Sequence, residues 1–212
     1  MALTRVKEGR EGLIEATFRV LDRDGVDAVT LRAVGKEARV SAPALYWHFE
    51  NKDELLRTVT REIATQFVQR VRMAADAATA TASVTATATA TATATTNTDP
   101  LLAVGSAFID FVIDYPHRFQ LLFRQPMARA NKPLQKSPAP NSSFGVMVEL
   151  VKQGITAGTL RLENPTSVAL TVAALGQGLV LLHERNRFAS REEFASFARL
   201  SFERLLRGIA NP

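Results

Sequence analysis

The chain has 212 residues, 46% of them hydrophobic and 22% charged, with a formal charge of +5 and a pI near 10.0. That is enough for one or two domains with a true core, and too apolar for a disordered chain. The absence of cysteine excludes disulfides and thiolate zinc sites, the basic balance suits a polyanionic partner, and no apolar run of membrane-spanning length is expected.

The opening "MALTRVKEGREG" lacks the apolar stretch of a secretory signal and, with the missing cysteines, points to the cytoplasm. Val6, Leu13, Ile14, Thr17, Phe18 and Leu21 then recur at helical spacing, and the pattern stops at Asp24–Gly25. Thr30 is suited to cap a short second helix, "LRAVGKEA". Ser41 is placed to cap a third, where Pro43 is tolerated in the first turn. Asn51 is placed to cap a fourth, with Glu54 three residues on as a capping-box carboxylate. Its apolar stripe runs through Leu55, Leu56, Val59, Ile63, Phe67 and Val71.

Residues 76–99, which contain "TATASVTATATATATATTNT", read as a low-complexity linker or a frayed extension of the fourth helix. Helical patterning resumes in "LLAVGSAFIDFVIDYP" and "HRFQLLFRQP". Residues 127–143 read as a basic surface loop, and "SFGVMVELVKQGITAG" as a helix closed by Gly158. Two long helices, 165–187 and 191–209, end the chain. The expected fold is all-α: an N-terminal three-helix helix-turn-helix domain over 1–52, then a larger helical domain over 53–212.

Function concentrates in "VSAPALYWHFENKDELL", residues 40–56. The short second and third helices, joined by "ARV", have the length of a helix-turn-helix. Gly35 is small where the helices must approach, and Val34, Val40 and Leu45 supply their core. Such a third helix enters a major groove. Ser41, Ala42, Pro43 and Ala44 are small enough to meet bases, while Tyr46, His48 and Lys52 are placed for phosphate. Trp47 and Phe49 supply rigid bulk.

The run "TLRAVGKEARVSAPALYWHFENKDELL", residues 30–56, resembles the DNA-binding signature of the TetR family of bacterial transcriptional regulators. The resemblance implies phosphate contacts from Thr30, Tyr46, His48 and Lys52, and guanine reading by Arg32. It sets Ser41, Ala42, Pro43 and Ala44 against bases, and makes Trp47 either a DNA contact or a packing residue. Arg39 departs from the family pattern, which has Gly in that turn. The Thr-Ala tract is a second departure. "YPHRFQLLF", residues 115–123, is similar to a motif in a subset of the family's C-terminal domains. The resemblance implies a homodimer and a small-molecule effector bound in the C-terminal half.

For that half, Phe108, Phe111, Phe119, Phe123, Phe144 and Met147 are the candidate lining of an effector pocket, set against the plainer reading of an ordinary core. Their apolarity points to an apolar or amphipathic effector. Gly176, Gly178, Phe194, Phe197, Phe202 and Leu205, on the last two helices, are the candidate dimer interface; the alternative is again an intrachain core. His117 is placed to cap a helix start and His183 to face solvent or the dimer seam. Neither has metal-ligand partners at suitable spacing, so no metal or cofactor is expected.

The leading expectation is a dimeric, ligand-released repressor on a near-palindromic operator. An enzyme using Tyr46, His48 and Lys52 as acid–base groups is the weaker alternative, since no nucleophile motif or phosphate loop accompanies them. A nonspecific nucleic-acid-binding or scaffolding protein is the other.

Overall fold

A computed structural model describes residues 9–88, 99–124 and 142–211. The described residues form nine helices: α1 (Arg10–Asp24), α2 (Leu31–Ala38), α3 (Ala42–Tyr46), α4 (Lys52–Ala88), α5 (Pro100–Asp114), α6 (Pro116–Arg124), α7 (Ser143–Thr156), α8 (Pro165–Glu184) and α9 (Arg191–Ile209). The all-α expectation holds; the only β feature among them is an isolated bridge between Leu160 and Ala210.

Local chemistry sets the helix ends. Thr30, Ser142, Asn164 and Ser190 each accept a backbone N–H in the first turn of α2, α7, α8 and α9. Asn51 accepts from Glu54 N–H at 2.9 Å, and Glu54 reaches back to accept from Glu50 N–H at 2.8 Å. The reciprocal pair read from the sequence is therefore present, with its carboxylate one residue further back than the usual box. Ser41 stands at the start of α3 but its side chain makes no cap hydrogen bond, a correction to the capping role expected of it.

Contacts divide the chain into two compact units, Met1–Gln66 with Tyr115–Ala128, and Phe67–Asp114 with Arg129–Pro212. The expected boundary at residue 52 is the first residue of α4, whereas the division by contacts falls within α4, after Gln66, and the first unit also takes in α6.

In the first unit α2 packs on α1 and α3, around the buried Leu13, Val20, Leu21, Val34, Leu45 and Phe49. Buried Thr17 donates its hydroxyl to Leu13 O at 2.7 Å, so its own polar atom is satisfied. α6 packs on α1. Arg118 grips Asp22 with two hydrogen bonds, 2.8 and 2.6 Å, and Gln66 at 3.3 Å. Its guanidinium also lies 4.4 Å from the Phe18 and Tyr115 ring centroids. The His117 ring fills the space beside Gly25, where φ is 83° and a Cβ would lie 3.4 Å from the imidazole. His117 thus packs against the end of α1 rather than only starting α6.

In the second unit α5 packs on α7, α8 and α9. Gly105 lets α5 approach Phe202, whose ring would sit 3.0 Å from a Cβ there. Thr159, Leu160 and Arg161 pair with the C-terminal end through Arg161 N–H to Ile209 O and Asn211 N–H to Thr159 O, both 3.0 Å.

One open choice closes and one expectation changes. Residues 76–88 belong to α4, so over them the helix-extension reading of the tract holds and the linker reading does not. Alanine favours helix, and threonine hydroxyls turn back on the preceding turn, Thr79 to Ala75 O and Thr81 to Ala77 O, both 2.9 Å. Residues 89–98 and the basic loop up to residue 141 lie outside the described residues. The changed expectation concerns α8, which is long and apolar enough to cross a membrane by length and composition, although no such run was expected. Only 33% of that apolar window is buried. Its inward face packs on α5, α7 and α9.

Candidate nucleic-acid interface

The turn between α2 and α3 is built on Arg39. Its backbone is left-handed, φ 58° and ψ 37°. Val40 N–H donates to Gly35 O at 3.0 Å and Arg39 N–H to Lys36 O at 3.2 Å, the paired bonds of a Schellman motif. That turn swings α3 back across α2. Gly35 permits the crossing: a Cβ there would meet Leu45 Cδ1 at 2.6 Å. Val34 is 0% and Leu45 1% exposed, so both serve the core as expected, whereas Val40 is half-buried.

The aromatic cluster then splits by direction. Phe49 is fully buried, with the Arg10 guanidinium 5.0 Å from its ring centroid. Tyr46 is 60% and Trp47 87% exposed. Anchoring therefore falls to Leu45 and Phe49, and the packing alternative for Trp47 does not apply. Pro43, Ser41 and His48 are exposed, and Ala44 and Lys52 half-buried. Ala42 is the first residue of α3. Thr30, at the start of α2, is exposed and accepts Ala33 N–H at 3.1 Å.

Charge is distributed to match. Glu37 bridges two arginines of α1, accepting from Arg19 at 2.8 Å and Arg23 at 3.1 Å. Hydrogen bonds from Arg19 first and Arg23 second hold its carboxyl below the usual carboxylate range. By contrast, Arg32, Lys36, Arg39 and Lys52 have no ion-pair partner among the described residues. Lys36 and Arg39 were not in the expected site. Their only sequence signal is their place on a helix-turn-helix, since cationic side chains on a short helix are common. Arg10 was also missed: it hydrogen-bonds Thr58 at 3.1 Å while covering Phe49, a supporting role that only the tertiary structure reveals.

An exposed ridge of Ser41, Pro43, Tyr46 and Trp47, on a helix-turn-helix whose cations Arg32, Lys36, Arg39 and Lys52 have no ion-pair partner among the described residues, matches what a groove-binding helix needs. Residues 13–59 match the family model for bacterial regulatory proteins, tetR family. Residues 101–209, just over half the chain, match the tetracyclin repressor-like C-terminal domain. The chain belongs to the TetR family. Among its relatives, the HTH-type nicotine-responsive transcriptional repressor HdnoR of Paenarthrobacter nicotinovorans is 38% identical over 69 residues, 32% of this chain and 36% of that protein. The class D tetracycline repressor protein of Escherichia coli is 37% identical over 54 residues, 26% of this chain and 25% of that one. The matched stretch thus spans about a third or less of these relatives. A TetR-family transcriptional regulator from Pectobacterium atrosepticum has the same fold, with TM-score 0.66 and 16% identity, over 100% of this chain and 99% of that one. A protein of unknown function from Rhodococcus sp. RHA1 reaches TM-score 0.67 at 23% identity, over 99% and 100% of the two chains. TetR-family proteins are regulators, not enzymes, which removes the acid–base reading of Tyr46, His48 and Lys52.

The C-terminal expectations for this TetR-family chain need correction in part. Phe119 and Phe123 stack on each other at 4.7 Å and belong to the first unit. Phe111 is 4% exposed and packs on Phe67, with centroids 4.9 Å apart; Phe108 meets Phe67 at 6.1 Å. Phe111 and Phe119 thus follow the plainer core reading, and Phe108 is half-buried beside Phe67. Phe144 and Met147 are half-buried on α7. A cleft of about 710 Å³ in the second unit lies between α4, α7 and α8, with Arg72, Asp76, Glu149, Lys152, Gln153 and Thr166 on its walls. It was missed because charged helix positions ordinarily read as solvated.

On the last two helices, Phe194 and Phe202 are 0% and 2% exposed within the single chain, so neither offers a face to a partner. Gly176 is likewise turned inward, 3.2 Å from Phe108 at its Cβ position. Gly178 opens on free space, Phe197 is 42% exposed, and Leu205 is half-buried. Leu170, Leu181, Leu182 and Leu200 are exposed apolar residues of α8 and α9 that were not singled out. His183 stacks on Phe194 at 4.2 Å, and burial pulls its imidazole below the ordinary histidine range.

Proposed function

We propose that this TetR-family chain is a ligand-responsive repressor that binds a near-palindromic operator as a homodimer. The observation that carries the reading is the outward ridge of Pro43, Tyr46 and Trp47 on a helix-turn-helix that also carries Arg32, Lys36, Arg39 and Lys52, none with an ion-pair partner among the described residues. In this reading α3 enters the major groove, Ser41, Ala42, Pro43 and Ala44 face bases, and Arg32 reads a guanine. Thr30, Tyr46, His48 and Lys52 hold the phosphate walls. The operator places the protein in the cytoplasm.

The homodimer is supported by the exposed Leu170, Leu181, Leu182, Phe197 and Leu200, with Gly178 giving a close approach. A small-molecule effector takes the cleft between α4, α7 and α8. Its walls carry Arg72, Asp76, Glu149 and Lys152, which favour an amphipathic ligand over a purely apolar one. Whatever factor the effector takes from operator affinity, the operator takes from effector affinity.

Selection of bound duplexes from random DNA tests this. The expected product is an inverted repeat with half-site centres about 34–36 Å apart, or a multiple. Enrichment of unrelated sequences with no repeat would contradict it and favour a charge-only binder.

A further inference from the structure

The cleft of the second unit carries charge of both signs on each of its two longer walls. On α4, Arg72 and Asp76 are four residues apart; on α7, Glu149 and Lys152 are three apart. Residues at these spacings are neighbours on one helix face, about 5–6 Å from each other. Each wall therefore sets one cation a single turn from one carboxylate, and the four charges cancel. The chain itself makes little use of them. Lys152 and Glu149 stand 3.8 Å apart with side chains 57% and 60% exposed, a pair of small worth. Asp76 has no ion-pair partner among the described residues. The lining also includes Ala75 and Val148, which are 3% and 5% exposed and give the cleft an apolar floor. A ligand bearing only a cation would meet Arg72 and Lys152, and one bearing only an anion would meet Asp76 and Glu149. A ligand bearing both charges on an apolar body satisfies both walls and the floor.

We infer that the cleft takes a zwitterionic amphiphile, with its cationic nitrogen on Asp76, its anionic group on Lys152 and its apolar body over Ala75 and Val148. The two charges of the ligand lie about one helical turn apart, roughly 5 Å. This rests on the effector reading above and names the chemical class of the effector.

The test is calorimetric titration of the full chain with decyl probes below their micelle concentrations. The zwitterionic probe is a decyl sulfobetaine, whose propane spacer matches the required charge separation; decyltrimethylammonium, decyl sulfate and decyl maltoside are the references. The sulfobetaine should bind about fivefold tighter than either singly charged probe, the worth of one partly exposed ion pair. Asp76→Asn should cost the sulfobetaine and the ammonium about that factor and spare the sulfate. Lys152→Gln should cost the sulfobetaine and the sulfate and spare the ammonium. Both positions are exposed, so the fold should survive either change. Equal affinity for all the probes, no binding of the sulfobetaine, or sulfobetaine affinity indifferent to both substitutions overturns the inference. Operator affinity measured with saturating sulfobetaine separates the two readings. A fall in it, reached in Asp76→Asn only at about fivefold more probe, supports both. Charge-selective binding that leaves operator affinity unchanged upholds the ligand class and overturns the effector role.

Discussion

Arg39 holds a left-handed backbone with a full side chain, at φ 58°. A Cβ in that region costs roughly 1 kcal/mol relative to glycine. Arg39→Gly should therefore stabilise the fold by about that amount in urea unfolding, while removing one unpaired cation from the rim. Gly35 is the opposite case. Gly35→Ala drives a methyl into Leu45, 2.6 Å away, and should destabilise by about 1–3 kcal/mol in the same assay. These residues also mark what the sequence shows at this scale. The small residue at 35 and the ridge at 41–48 are visible in the letters, because their types are unusual for their positions. That Leu45 and Phe49 face inward while Trp47 faces out is not visible. Adjacent aromatics give no direction until the turn at Arg39 sets the helix angle.

At the scale of elements, α1 and α2 are joined by Glu37 between Arg19 and Arg23. Its lowered pKa gives the sign of a pH effect. The folded state holds the proton more weakly, so the contribution is complete above the unfolded carboxylate pKa. It is lost as pH falls through the lower folded value. Glu37→Gln should be less stable than the parent at neutral pH, and the gap should close on acidification; a gap that widens in acid would contradict the bridge. The helices themselves were legible from apolar periodicity, caps and the prolines that start α5, α6 and α8. Their pairing was not. Arg118 and Asp22 are 96 residues apart in sequence, and nothing local announces their bond. Nor does a stripe reveal what covers it: Phe194 and Phe202 meet their own chain, while Phe197 on the same helix remains 42% exposed.

For the whole molecule, the proposed homodimer rests on the exposed leucines of α8 and α9. Leu181→Glu, at a residue 48% exposed in the single chain, should leave the helical content unchanged and shift sedimentation from dimer toward monomer. A dimer untouched by that change, and by Phe197→Glu, would place the interface elsewhere. The family and its division of labour were legible from residues 30–56, where the functional types are dense. The cleft proposed for an effector was not, because helix-borne charges at separated positions converge only through packing. The central claim is recognition of a particular DNA sequence by α3, and the most direct measurement is affinity for the selected operator against random duplex across salt concentrations. The account predicts a preference of about 10³-fold or more at physiological salt, with Lys52→Ala weakening both duplexes alike. Equal affinity for the two at every salt concentration, with the same salt slope, would contradict it.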